Sequence, residues 1–362
     1  MTASKMKLTA IDLFSGAGGF SLAAKKAGFQ VLAAVEYDKW AQETYKHNFI
    51  KGRKNPPKLY GDIWGVDPSQ VLKDVGINAG ELDVLVGGPP CQGFSSHRLN
   101  NAGVDDPRNN LLLRYFDFVK QLQPKVFVVE NVSGMLWARH KPYVDRFKNL
   151  AKRNGYQIIS GEPQLINARD FGVPQNRKRV FILGARSDIN LPDGFEWPPK
   201  ATHFDPNSDE VKKEGKKKWV PASTVFGKSL DSKDPNNIHM IPGSDMLQRF
   251  KDTPLNGGSR ADSGHVLTCH EDHTGHKDVY GRIDPNKSGP TMTTGCINPS
   301  KGRFVHPTKH HGIAARHAAR FQTFPDDFYF EGGLGSTGKQ IGNAVPVMLG
   351  QHILQALAME GL

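Results

Sequence analysis

The chemistry open to this sequence comes from a thiol, a few carboxylates and a pair of guanidinium groups, each placed at the end of an apolar run. The thiol is Cys91, in VLVGGPPCQGFS (84–95). The run 82–86 predicts a buried strand, Gly87 and Gly88 end it, and Pro89 and Pro90 stiffen the backbone so that the thiol has a defined direction. In open α/β sheets, ligands and chemistry collect at that carboxyl end. There Cys91 can act as a nucleophile; taken alone, it reads equally as a structural cysteine after a tight turn. Glu130 follows a second apolar run, 125–129, and leads into Asn131-Val132, which should set a carboxylic acid beside the thiol. Without Cys91 it would read as well as a helix-capping or salt-bridged carboxylate. Arg177 and Arg179 lie two apart where PQNRKRVFIL (174–183) passes into an apolar strand. Alternate strand residues share a face, so both are expected in one cleft, where Gln175 can join them.

The elements that must position these groups begin at the amino terminus. A short strand over 8–14 runs into Ser15-Gly16-Ala17-Gly18-Gly19 and then a helix-like stretch, 20–26. Glycines let a ligand approach the backbone, and the helix start presents free amides; a lone glycine turn serves packing as often. The next strand, 31–35, ends at Glu36, where a carboxylate can accept both hydroxyls of a ribose, and Asp62 follows 59–61, where it can hold an adenine amino group. A dinucleotide site wants a third glycine for the pyrophosphate, whereas this turn is G-x-G-G followed by Phe20 and Ser21. A nucleoside without phosphates fits better. S-adenosylmethionine is such a ligand, with Glu36 on the ribose, Asp62 near the adenine and the turn beside the methionine part.

Composition narrows the class of partner. The 362 residues are 38% hydrophobic, enough for one large and one smaller domain, and 47 Lys+Arg against 36 Asp+Glu give a formal +11. That balance favours a polyanion, nucleic acid first; a merely solvated basic surface is the alternative. Cys91, Cys269 and Cys296 are too few and too far apart for a disulfide framework, which suits a reducing compartment. The first residues lack a secretory pattern and no apolar run is long enough to span a bilayer, so a soluble cytoplasmic protein is expected, with no membrane partner. The polar stretch 92–110, with His97, Arg98 and Arg108, reads as a lid that starts at the thiol, and 111–122 resumes helical spacing. The interval 190–262 is polar and loop-rich, and its KKEGKKK (212–218) is either a phosphate-binding surface or a solvated insertion. In TCHEDHTGHKDVYGR the spacing of Cys269, His270, His273 and His276 invites zinc, but without a second cysteine pair a phosphate-facing surface is the better reading and no metal is expected. Stretches 290–295 and 302–307 read as short strands, and 345–359 as a helix packing against the first strands.

DLFSGAGGF (12–20), GGPPCQGFS (87–95), ENV (130–132), QNRKR (175–179), RFQTFPD (320–326) and QIGNAVP (340–346) resemble, in this order, the motifs of the cytosine carbon-5 DNA methyltransferases. The resemblance covers about the first half and the last quarter of the chain. It implies an α/β fold: a Rossmann-like, doubly wound methyltransferase domain over 1–189 and 312–362, and a second, smaller target-recognition domain over 190–311, with DNA in the cleft between them. It implies Cys91 as nucleophile, Glu130 on the ring nitrogen next to the site of attack, Arg177 and Arg179 as further catalytic residues with Arg179 on the flipped base, and Phe14, Gly16, Ala17, Gly18, Gly19, Glu36, Asp62, Pro90 and Asn343 around S-adenosylmethionine. DNA contacts would come from Gln92, Ser95, His97 and Arg98 on the lid and from Arg260, His276, Lys277 and Arg282 in the smaller domain. The partners so implied are double-stranded DNA and a cognate restriction endonuclease, in a bacterial cytoplasm, with the enzyme a monomer. An RNA cytosine methyltransferase and a catalytically silent DNA-binding homologue are the alternatives, disfavoured by the large middle region and by the presence of Cys91, Glu130 and Asn343; a dehydrogenase is disfavoured by the G-x-G-G turn. One departure stands in the helix before RFQTFPD, where the family often has an acid after the arginine and this chain has Arg316-His317.

Overall fold

The computed structural model describes residues 7–90, 110–191, 194–264 and 278–358. Two compact units make up the chain: Met1–Asn167 with Lys178–Lys200 and Val347–Leu362, and Ala168–Arg177 with Ala201–Pro346.

The first unit is built on strands β1 (Thr9–Leu13), β2 (Gln30–Val35), β3 (Lys58–Tyr60), β4 (Val84–Gly87), β5 (Val126–Val132), β6 (Tyr156–Ile158), β7 (Gln164–Asn167) and β8 (Lys178–Arg186). They form one sheet in the order β3-β2-β1-β4-β5-β8-β6, with β7 also on β8. Strands β1 to β5 pair in parallel; β8 runs antiparallel to β5, β6 and β7. The crossovers carry helices α1 (Gly19–Lys26), α2 (Lys39–Tyr45), α3 (Pro68–Val75), α4 (Asn110–Leu122) and α5 (Lys141–Arg153). Near-continuous apolar sequences such as VFVV in β5 become fully buried central strands, as a parallel sheet covered by helices requires. Edge-to-face rings of Phe116, Phe127 and Phe147 fill the space between α4, α5 and β5. Strand β5 runs on through Glu130, so this carboxylate belongs to the strand rather than to the turn after it.

The second unit holds the pair β9 (His203–Phe204) and β10 (Lys217–Lys218), with α6 (Asp209–Lys212), α7 (Ser223–Phe226), α8 (Ser244–Asp252), α9 (Ala315–Phe321) and α10 (Leu334–Asn343). Neither 290–295 nor 302–307 is a strand. Pro290 has no amide to donate, and the following backbone closes on itself through Cys296 N to Thr293 O and Asn298 N to Gly295 O; Val305 makes only isolated bridges to Arg282 and Gly312. The last helix, α11 (Val347–Ala358), returns to the first unit, where it packs on α1 rather than on the strands.

Histidines organise part of the second unit. His317 stands where the family often has an acid, and its ring does the acid's local work: Nδ1 accepts the Ala314 amide at 3.4 Å at the start of α9. His306 Nδ1 accepts the Thr308 and Lys309 amides at 3.2 and 3.1 Å. Burial first, then neighbouring positive groups, holds both rings down to about 3. An imidazole near 6.5 when unfolded takes up its proton there long before the folded ring does. Stability is therefore complete above about pH 6.5 and is lost progressively as pH falls towards the folded values. On acid unfolding between about pH 6 and 4 these two rings should absorb about one proton each, and His317→Gln should reduce the uptake by about one; melting curves across pH measure both.

Candidate active site

The carboxyl ends of β1 and β4 are where the strand order reverses, the position at which open α/β sheets leave a crevice. Leaving β1, the backbone turns through positive φ at Phe14 (57°), Gly16 (55°) and Gly18 (96°). A Cβ on Gly18 would lie 2.4 Å from Phe49 Cε2, so a larger residue is excluded by space as well as by φ. The turn is tied to β2: Ser15 N donates to Val35 O at 3.0 Å, and Gly16 N to Glu36 Oε2 at 2.8 Å. The other oxygen of Glu36 accepts Asp38 N at 2.6 Å, and Glu36 N donates to Tyr60 O of β3 at 3.0 Å. Burial pushes the Glu36 carboxyl above the usual carboxylate range, and the two amide bonds oppose that shift. Each oxygen keeps accepting capacity for a hydroxyl.

Around this carboxylate the edge offers flat apolar surface. Tyr37, 75% exposed, follows Glu36 directly, and Trp64, 56% exposed, follows Asp62 closely. Neither aromatic stood out in the sequence reading, although each neighbours an acid at a strand end. Asp62 is exposed and accepts Trp64 N at 3.1 Å. Two buried oxygens at the turn, Asp12 Oδ1 and Ser15 Oγ, have no protein partner among the described residues. A cradle of free backbone, a shaped carboxylate, exposed rings and orphaned oxygens fit a small ligand with hydroxyls, a flat ring and a cationic end.

The second cluster stands at the ends of β4, β5 and β8. In the antiparallel register Val132 faces Arg179, and Arg179 Nε lies 3.0 Å from Glu130 Oε1, with both side chains at most 15% exposed. Burial lowers the Arg179 guanidinium and the Glu130 charge opposes that. A Cβ on Gly88 would sit 3.3 Å from Glu130 Oε2, which places the start of the GGPP segment against the carboxylate. Asn131 Nδ2 reaches Pro89 O at 3.5 Å, and Pro90 is exposed. Cys91 follows Pro90 in the chain and lies outside the described residues, as do Gln92, Ser95, His97, Arg98, Cys269, His270, His273, His276, Lys277 and most of the expected lid.

Two expected site residues have other work. Arg177 lies before β8, outside the strand that carries Arg179. It is 1% exposed and its guanidinium donates to the carbonyls of Met292 (2.8 Å), Gly342 (2.9 Å) and Ala344 (3.1 Å), so it clamps segments of the second unit. Arg282 is no surface cation for DNA: it is fully buried, and it donates to Thr253 O (3.0 Å), His306 O (2.8 Å), Lys309 O (2.6 Å) and Phe250 O, and to His310 Nδ1 (2.9 Å). Arg282→Ala should therefore lower stability by about 3 kcal/mol, because buried carbonyls lose their donors. Chemical denaturation checks this; a variant of unchanged stability that binds DNA more weakly would restore the surface role. Arg260 opens a short 3-10 helix at Arg260–Ser263, and its buried Nη1 has no protein partner among the described residues. Asn343 is exposed at the end of α10, in the second unit.

Sheet, glycine turn and strand-end carboxylates define a Rossmann-like methyltransferase. The chain belongs to the C-5 cytosine-specific DNA methylase family, whose sequence profile matches residues 8–359, and it is an enzyme of the DNA cytosine-5-methyltransferase class. It is 31% identical to the Type II methyltransferase M.XorII of Xanthomonas oryzae pv. oryzae, over 96% of this chain and 84% of that protein. It is 32% identical to the Type II methyltransferase M1.HphI of Haemophilus parahaemolyticus, over 97% and 87%. Among solved structures, a DNA modification methyltransferase encoded within an E. coli prophage superposes with a TM-score of 0.71 at 25% identity, covering 98% of this chain and 99% of that one. No helix among the described residues is long and apolar enough to cross a membrane.

Proposed function

We propose that this protein transfers a methyl group from S-adenosylmethionine to carbon 5 of a cytosine within a specific sequence of double-stranded DNA, after extruding that base from the helix. The observation that carries the reading is the pair of clusters at one edge of one sheet: Glu36 with the glycine turn, and Glu130 with Arg179. Glu36 would accept the ribose hydroxyls, Asp62 would meet the adenine, and Phe14 with residues 16–19 would pass beside the methionine part; bound there, the cofactor supplies an electrophilic methyl group.

The chain's own residues prepare the base. Cytosine is electron-poor at carbon 6 and a poor nucleophile at carbon 5. Addition of the Cys91 thiolate to carbon 6, with Glu130 holding a proton at ring nitrogen 3, makes carbon 5 an enamine carbon able to take the methyl group. Arg179 fixes the Glu130 carboxyl group and is close enough to it to meet the same ring edge. Loss of the carbon-5 proton and departure of Cys91 restore the aromatic ring. A stacked base offers no path to its ring face, so the reaction requires base flipping.

DNA reading falls to the loop-rich interval 190–311, where Arg260 and the exposed lysines of 212–218 are candidate contacts. The Type II names of the relatives support a partnership with a restriction endonuclease of the same recognition sequence. A monomer in the cytoplasm is the simplest setting. Bisulfite sequencing of DNA from cells expressing the protein tests the reading. New 5-methylcytosine confined to one short sequence motif is expected, and unmodified DNA beside newly methylated RNA would overturn it.

A further inference from the structure

Asp12 lies at the carboxyl end of β1, 1% exposed, between Ala34 of β2 and Val86 of β4 in the sheet register. Its Oδ2 accepts Ser21 Oγ at 2.7 Å, and that hydroxyl lies 2.9 Å from the hydroxyl of Tyr45. Its Oδ1 has no protein partner among the described residues. Among the described residues, the polar groups that face it are Ser21 from α1, Tyr45 from α2, Tyr115 from α4 and the acid Glu36 after β2. None is a cation.

A carboxylate desolvated in this way, with a like charge nearby and only the hydroxyl and backbone amide of Ser21 to favour its charged form, takes a proton. Burial, chiefly, pushes the Asp12 carboxyl up to about 7. A positive group brought to the glycine turn reverses the balance, because an opposite charge close by favours the ionised form. S-adenosylmethionine carries two, a sulfonium and an ammonium, against one carboxylate, and is a net cation. We propose that Asp12 is a proton-exchange site for the cofactor's cationic end: neutral before binding, it ionises as the cation arrives. The carboxyl O–H bond breaks, the proton leaves to solvent and the carboxylate becomes the counter-charge. This rests on the cofactor reading above and adds the group that recognises the cofactor's charge. Glu36 is less suited to the exchange, since both its oxygens are already held by backbone amides.

Calorimetric titration of S-adenosylmethionine into the whole protein near pH 6.5, in two buffers of different ionisation heat, counts the protons exchanged on binding. The wild type should release on the order of half a proton or more, and Asp12→Asn should bind with that release largely gone. Binding without proton release, or equal release by the Asn variant, overturns the inference and leaves the cofactor reading standing. Failure of the wild type to bind in either buffer overturns both. Should Asp12→Asn fold poorly, Ser21→Ala provides a second test. Loss of the donor hydroxyl disfavours ionised Asp12, so the pH below which affinity declines should move upward, and an unmoved profile rejects the idea.

Discussion

Cys91→Ser should reduce methyl transfer to DNA by roughly 10^4-fold or more, the scale on which loss of a covalent nucleophile is felt. Serine is the closest replacement in size, and it isolates the chemistry: a thiol near its ordinary value has a few per cent thiolate at neutral pH, whereas a hydroxyl has essentially none. In the proposed reaction Cys91 acts on the base and not on the cofactor, so affinity for S-adenosylmethionine should stay within about twofold, well under the tenfold that 1.4 kcal/mol would represent. Binding of a cytosine-containing duplex should also survive, since phosphate contacts dominate that affinity. Single-turnover rates and equilibrium titrations on the same preparation give both numbers. A serine variant within tenfold of the wild-type rate would mean that carbon 5 is activated without addition at carbon 6.

What the sequence makes legible is what the chain settles locally. The turn at 14–19, Glu36 at the end of β2 and the position of Glu130 all follow from strand, glycine and acid within a few residues, and the structure places them at one edge of one sheet. The arginines were misread because their partners lie far along the chain. Arg177 reaches carbonyls 115 to 167 residues away, and Arg282 acceptors 24 to 32 residues away, separations that no local pattern around either arginine reports. Alternation in QNRKR gave Arg177 and Arg179 a common face, but β8 begins only at Lys178, so the alternation holds for one of them. Orphaned oxygens such as Asp12 Oδ1 leave no sequence signature, because an acid inside an apolar strand reads the same whether or not it is paired. The two false strands after residue 289 have the composition of strands; the local turn bonds of 293–298 decide against the first and the isolated bridges of Val305 against the second.

Glu130→Ala should cost both activity and stability, and the two losses can be separated. Arg179 is nearly buried, and removing Glu130 leaves a desolvated guanidinium without its counter-charge, a loss of about 3–5 kcal/mol. That alone could silence the enzyme by unfolding it. Glu130→Gln keeps the shape and an oxygen acceptor for Arg179 but cannot carry a proton to ring nitrogen 3, so stability should fall by less than in the Ala variant. Methyl transfer should still fall by about 10^2- to 10^4-fold, the usual worth of a positioned acid. The double variant Glu130→Leu with Arg179→Met removes both charges and should recover much of the stability lost in Glu130→Ala, as replaced buried ion pairs commonly do, without recovering any turnover. Denaturation midpoints and single-turnover rates on the three proteins decide the matter. Were activity to return with stability in the double variant, the Glu130–Arg179 pair would be a structural brace for β5 and β8, and the proton at nitrogen 3 would have to come from elsewhere.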